Sequence, residues 1–185
     1  MLSIFKSWVF VLCIFSMPVI LAQEYTILPS SNLYIKGSTN INNFTCNFNM
    51  DDIRPANFGF SSSAESFKSV FVEFPVASFD CGGAGINKDF RNLLKESYHP
   101  LLQIRLLDIK PITESKAKIS LEFVIAGVNN SYEVVVNYKK EGDYLHTQGS
   151  FQLDIENYGL EQPRRMLGLV VVRKEIDVHF AIDFI

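Results

Sequence analysis

The sequence predicts an all-β fold, an eight-stranded antiparallel β-barrel with one short amphipathic helix. Three observations predict it. Apolar and polar residues alternate with period two over many short segments, the pattern of strands with one buried face. The final segment, Glu175–Ile185, puts Ile176, Val178, Phe180, Ile182 and Phe184 on one face against Asp177, His179, Ala181 and Asp183. A strand with that much apolar surface must be covered on its face and paired on both edges, and pairing it with an early strand closes the sheet. Helical spacing, by contrast, is convincing in one stretch alone, near residues 87–98.

The elements follow in order. Tyr25–Leu28 is extended, and Pro29–Asn32 turns the chain. Leu33–Lys36 starts a strand that ends at Gly37. Asn42–Asn49 alternates, with Phe44, Cys46 and Phe48 sharing a face. Residues 50–67, polar and Ser-rich around 61–63, read as a long connection or a poorly regular edge. Lys68–Phe74 is a strand with Val70, Val72 and Phe74 on one side. Pro75 has no N–H to give a ladder and marks an edge or bulge, after which Val76–Asp80 resumes the strand.

Cys81–Gly85 turns into the helix. Asn87 suits the N-cap, Asp89 favours the positive helix end, and Phe90, Leu93, Leu94 and Tyr98 form one stripe. His99-Pro100 ends it. A single amphipathic helix among strands is expected to lid one end of the barrel. Leu102, Ile104 and Leu106 resume alternation, and the apolar face switches at Leu106-Leu107 as a bulge would make it. Three strands with short turns then form a meander. The first carries Ala117, Ile119, Leu121, Phe123 and Ile125. The second carries Tyr132, Val134, Val136 and Tyr138, and the third Leu145, Thr147, Gly149, Phe151, Leu153 and Ile155.

Residues 1–22 read as a secretory signal peptide rather than as part of the fold. Lys6 gives a positive start, Trp8–Leu21 is an apolar run, and Ile20-Leu21-Ala22 is the expected cleavage site. The run is shorter than the roughly 20 apolar residues of a membrane span and is broken by Ser16 and Pro18. Residues 23–185 then make one domain that is periplasmic or extracellular. Its 20 acidic residues face the chain's 17 basic ones less Lys6. With no basic cluster, a nucleic-acid partner is excluded. Cys46 and Cys81 are an even pair in an exported chain, which points to a disulfide; two buried free thiols are the alternative.

Catalytic and metal motifs are absent from the sequence. There is no Gly-x-Ser-x-Gly, His-Glu-x-x-His or Cys-x-x-Cys. Gly82–Gly85 lies between a strand and a helix but lacks the Lys and Ser/Thr of a phosphate cradle, so it reads as a turn. His99, His146 and His179 are dispersed, and neither cysteine has a second ligand at metal spacing. The expectation is a protein that is not an enzyme, with no metal and no cofactor.

Several segments, taken in order, resemble the YceI-like family. They are Leu33–Asn40 leading into Asn43–Cys46, then Val76–Cys81, and Lys88–Lys95 running into Tyr98-His99-Pro100. Ile125–Val128 before a Tyr-bearing strand and Met166–Val170 before the last strand complete the series. The family's opening Tyr-x-Ile-Asp is met in part, with Leu28 at the acidic position. The resemblance implies an exported lipocalin-like antiparallel barrel that binds amphipathic lipids such as polyisoprenoids, without catalytic residues.

The inward residues decide what such a barrel holds. The candidates are Phe44, Phe48, Val70, Val72, Phe74, Ile119, Leu121, Phe123, Tyr132, Val134, Val136, Phe151, Leu153, Ile176, Val178, Phe180 and Ile182. The Tyr132 hydroxyl is nearly their whole hydrogen-bonding capacity. A ligand held there would be an apolar chain, isoprenoid or fatty acyl, stabilised by burial at roughly 25 cal/mol per Å². Packing of these side chains on one another as the solid core of a non-enzymatic adhesion or scaffold module is the alternative from the residues alone; the resemblance favours a ligand tunnel. An outer-membrane barrel with its apolar face turned outward is a further alternative, opposed by the amphipathic helix, the cysteines and the irregular segment 50–67. The mature chain is therefore expected not to be an integral membrane protein. Its oligomeric state is open, a dimer included.

Overall fold

A computed structural model describes residues 23–24, 26–55, 59–60, 71–165 and 169–185. The leader read over residues 1–22 lies outside the described residues, as do Val70 and most of the connection before it. The strands are, in chain order, β1 (Gln23–Glu24), β2 (Asn32–Ser38), β3 (Asn43–Phe48), β4 (Arg54–Pro55), β5 (Gly59–Phe60), β6 (Phe71–Pro75) and β7 (Phe79–Asp80). The helix α1 (Ala84–Leu93) follows. Then come β8 (Leu101–Thr113), β9 (Lys116–Ile125), β10 (Val128–Glu141), β11 (Tyr144–Asp154), β12 (Arg164–Arg165), β13 (Val170–Val171) and β14 (Glu175–Phe184).

Ten of these strands form one antiparallel sheet in the order β4-β6-β8-β9-β10-β11-β14-β2-β3-β7. The sheet meets itself because its two ends are made of the same two stretches of chain. β3 passes through a 3-10 turn at Met50–Asp52 into β4, and β6 passes through Val76–Ser78 into β7. Phe48 pairs with Phe79 between β3 and β7, and Arg54 pairs with Glu73 between β4 and β6. Between those ladders the Asn49 N–H donates to the Ser78 carbonyl at 2.9 Å. With β3–β4 and β6–β7 each taken as one kinked stave, the ten described strands of this sheet make eight staves, and the barrel is nearly closed. Pro75 stands at one kink, at the last residue of β6, a strand end where a residue without an N–H is tolerated.

The final strand lies between two others, as its apolar face requires. β14 pairs with β11 from Leu145 opposite Phe184 to Asp154 opposite Glu175, and with β2 from Lys36 opposite Asp177 to Asn32 opposite Ala181. Thr26 and Ile185 extend this pairing by exchanging backbone bonds of 2.7 and 3.0 Å. The meander also forms. Ala126 and Gly127, with φ of 49° and 81°, make the two-residue turn between β9 and β10. Two successive positive φ values match the right-handed twist of a tight hairpin, and glycine suits the second. The expected bulge in β8 is a register shift between Leu106 and Asp108.

The helix differs from expectation. It starts at Ala84 after Gly83, so Asn87 lies inside it rather than at its N-cap. The Asn87 side chain instead accepts from the Cys81 N–H at 2.7 Å and donates to Asp80 at 2.9 Å, fastening α1 to the end of β7. α1 ends at Leu93, and Lys95 reverses the chain at φ 55°. Tyr98, placed on the apolar stripe by sequence, is 83% exposed beyond that reversal. Ile86, Phe90, Leu93 and Leu94 form the face that packs on the core. Helix α1, the turn at Ala126-Gly127 and a 3-10 turn at Ile155–Tyr158 mark one end of the barrel, the helix end. The hairpins joining β8 to β9 and β10 to β11 mark the other.

Candidate functional site

Strand register brings the expected inward residues together. Tyr132 faces Leu121 and Val134 faces Ile119 across β9 and β10. Phe151 faces Val178, Leu153 faces Ile176 and Gly149 faces Phe180 across β11 and β14. Val72 and Phe74 meet Ile104 and Leu102 across β6 and β8. Their packing divides in two. Phe48, Val72, Phe74, Phe123, Leu153, Ile176 and Val178 belong to a buried cluster that reaches the helix end, with Phe44 and Ile182 packed against it. Val134 and Val136 form a second cluster with Ala117, joined by Ile119. Leu121, Tyr132, Phe151 and Phe180 touch both clusters and are half-buried. The barrel therefore has two packed regions and a looser aromatic seam between them. Val70, the remaining candidate, lies outside the described residues.

Two of the lining rings lie against glycines of the neighbouring strands. Phe44 sits opposite Gly37, and Phe180 opposite Gly149. Each ring lies over the glycine backbone, so that a β-carbon there would collide with it. Glycine inside a strand is unfavourable alone, but covering it with a cross-strand aromatic restores contact. The consequence for the interior is a lining thinned at two positions.

The wall opens partway along β10 and β11. Both are bonded along their outer edges, yet their mutual ladder runs only from Val136 opposite Gly149 to Glu141 opposite Tyr144. Below it the strands part, and the 3-10 turn after β11 is tied back by Asn130 Nδ2 donating to the Asn157 carbonyl at 3.0 Å. That turn is capped at one end by Asp154, which accepts from the Glu156 N–H, and at the other by Gly159 at φ 63°. It inserts Tyr158 into the larger cluster, fully buried. Burial first, and then the neighbouring Tyr132 hydroxyl, hold the Tyr158 phenol well above its ordinary range. Neither hydroxyl completes a hydrogen bond within the described residues. Tyr158 escaped sequence reasoning because a 3-10 turn has no apolar period; the capped run Asp154–Gly159 was its one signal.

Outside the wall the chemistry is ionic. Arg105 pairs with Glu122 at 3.0 Å and Lys118 with Glu133 at 3.1 Å, midway along the strands. An open cleft of about 860 Å³ between α1 and residues 156–164 carries Asp89, Glu156, Glu161 and Arg164, charges that suit water rather than an acyl chain. The histidines are scattered: His99 packs on Gly127, His146 bonds Asp183 at 2.8 Å, and His179 stacks on Tyr34. Among the described residues, no group of three His, Cys, Asp or Glu side chains is placed to hold a metal. Also among them, no helix is long and apolar enough to cross a membrane. Cys46 and Cys81 lie at bonding distance under the helix end, both buried.

A family model described as the YceI-like domain matches residues 30–184. No curated protein matches the chain. Among solved structures, BcnA of Burkholderia cenocepacia superposes with a TM-score of 0.67 at 16% identity, over 83% of this chain and 95% of that one. A polyisoprenoid binding domain from Saccharophagus degradans, implicated in plant cell wall breakdown, gives 0.67 at 15% identity over 86% and 97%. The YCEI protein of Campylobacter jejuni gives 0.58 at 16% identity over 75% and 82%. These likenesses carry the fold. Because the family model spans every stave of the barrel, the chain belongs to the YceI-like family.

Proposed function

We propose that this chain is an exported, non-catalytic lipid carrier. It holds one apolar chain, a polyisoprenoid or similar amphipathic lipid, in the barrel interior for storage or transport. The observation that carries this reading is the half-buried seam of Leu121, Tyr132, Phe151 and Phe180 between two packed clusters. An inner surface of carbon that its own neighbours do not fully cover gains by burying another hydrocarbon. The likeness to the polyisoprenoid binding domain of Saccharophagus degradans supports the same ligand class. The apolar leader at residues 1–22 supports export to the periplasm or beyond.

The outward face favours a barrel in water over one in a membrane. A lipid-facing band would have to bury the Arg105–Glu122 and Lys118–Glu133 pairs in hydrocarbon, where charged side chains are costly near the midplane. The test is solvent extraction of protein purified without detergent, followed by mass spectrometry. A long-chain lipid at near-stoichiometric amount is expected. An empty extract, with no uptake of added isoprenoid or fatty acyl compounds, would favour a closed core and reject the carrier. Intact mass of the exported protein is expected to begin at Gln23.

A further inference from the structure

Among the described residues, the packed clusters of the interior are almost wholly hydrocarbon. Tyr132 on the inward face of β10 and Tyr158 on the 3-10 turn after β11 bring two phenolic hydroxyls side by side toward the helix end. Tyr158 is 0% exposed, and both hydroxyl oxygens are shielded from solvent. Neither has a hydrogen-bond partner of adequate geometry among the described residues. The Tyr132 ring packs against Phe123 and Phe151, at 5.5 and 5.8 Å between centroids, and so stands in the half-buried seam. A buried O–H without a partner carries the full cost of its lost water, and phenylalanine would pack at either position without that cost. A pair of such hydroxyls facing one another marks a place that something else completes.

We propose that the Tyr132–Tyr158 hydroxyl pair is the head-group site of the barrel, and that it selects a neutral oxygen over a charged one. The matching ligand end is the hydroxyl of a long-chain alcohol or the carbonyl of a ketone, ester or amide. Two O–H donors converge on the two lone pairs of one such oxygen. The raised Tyr158 phenol stays protonated and keeps its donor. A phosphate or carboxylate would enter with no counter-charge, because Ser31 is the one polar or charged residue buried among those described. Arg91 and Arg105 also have a shielded Nε, but their guanidinium groups are engaged by the Ala77 carbonyl and by Glu122. An uncompensated anion in low dielectric is expelled. This inference rests on the lipid-carrier reading and adds to it the end of the barrel that takes the oxygen and the charge that end tolerates.

The experiment loads delipidated protein with geranylgeraniol, geranylgeranyl phosphate or the oxygen-free hydrocarbon of the same skeleton. Free lipid is removed by gel filtration and bound lipid is quantified by mass spectrometry. The alcohol is expected to bind at least about tenfold more tightly than either competitor, since a site built to bond an oxygen discriminates against its absence. In the Tyr132→Phe, Tyr158→Phe double variant the alcohol is expected to lose its preference and bind no better than the hydrocarbon, with the ligand-free melting temperature unchanged or higher. If the double variant fails to fold, each single variant is expected to lose part of the preference. A preference that survives in the variants overturns the site, as does equal binding of all three compounds or a preference for the phosphate. The carrier reading stands in those cases. Binding of none of the three rejects the carrier and this site together.

Discussion

Gly149 faces Phe180 across the β11–β14 ladder, and the tip of the Phe180 ring lies 2.7 Å from where a β-carbon on residue 149 would stand. The Val135 carbonyl is 3.2 Å from the same point, so the space is bounded on two sides. The pair recurs as Gly37 and Phe44 across β2 and β3. In both, a large residue borrows the volume that glycine leaves empty, and the wall of the barrel stays thin.

Gly149→Ala is therefore expected to force the Phe180 ring off the wall. Overpacking of this size costs about 1–3 kcal/mol, read as a lower urea midpoint. Phe180→Leu in the same chain removes the colliding ring tip and is expected to recover part of the loss. An alanine variant as stable as the parent would show that the ring is free to move aside.

The two clusters assign different behaviour to two inward positions of the meander. Val134 is 1% exposed and packed with Ala117 and Val136. Val134→Trp is expected to destabilise the fold by about 1–3 kcal/mol or more. Leu121 is half-buried in the seam, so Leu121→Trp is expected to cost less stability while sharply reducing lipid retained after gel filtration. Val135, 51% exposed on the outer face, is the control and tolerates Trp in both measurements. Damage at Val135 with tolerance at Val134 would mean a strand register reversed from that described.

How much of this was legible in the sequence follows from which residues obey a period. Positions 132, 134 and 136 alternate, and Val134 and Val136 are buried on the inward face as period two requires. The last strand had to be sandwiched, and it is. Pro75 marks an edge or bulge in the sequence, and it stands where β6 turns through Val76–Ser78 into β7, which pairs with β3. Asn87 misled because its side chain serves the backbone of Cys81, a tertiary use that competes with capping. Tyr98 misled because Lys95 breaks the helical period ahead of it. The Gly–Phe pairs and Tyr158 were hidden for one reason: each depends on which residue stands opposite, and spacing along a single strand does not contain that.

The carboxylate of Asp183 ties the start of the fold to its last strand. It bonds His146 at 2.8 Å and accepts from the Ser30 hydroxyl at 2.7 Å, while the Asp183 N–H donates to Ser31 Oγ at 3.0 Å. His146 first, then Ser30, hold its pKa below the ordinary value of 3.8. A carboxyl depressed by folding contributes stability that is complete above the unfolded value and is lost as pH falls through the folded one. Asp183→Asn is expected to lower the urea midpoint at about pH 6 and to match the parent increasingly toward about pH 3. A gap that stays constant across that range would assign the effect to packing instead of charge.

Cys46 and Cys81 are 35 residues apart, and the segment between them includes the kinked stave that closes the barrel. A cross-link here ties β3 to the start of the helix region, across the narrow two-pair ladder of β3 with β7. Non-reducing peptide mapping of exported protein is expected to find the two cysteines linked. Closing a loop of this length removes denatured-state entropy worth about 3–4 kcal/mol in the chain-entropy model. The Cys46→Ser, Cys81→Ser double variant is expected to lose stability of that order, with somewhat more from placing a hydroxyl at Cys46, which is 0% exposed. Cys46→Ala, Cys81→Ala separates the two contributions, because it removes the cross-link without burying a new polar group. Reductant should lower the parent's urea midpoint and leave both double variants unchanged. Two freely alkylatable thiols in the native, oxidatively purified protein would reject the bond, and the barrel would then be held at this seam by packing alone.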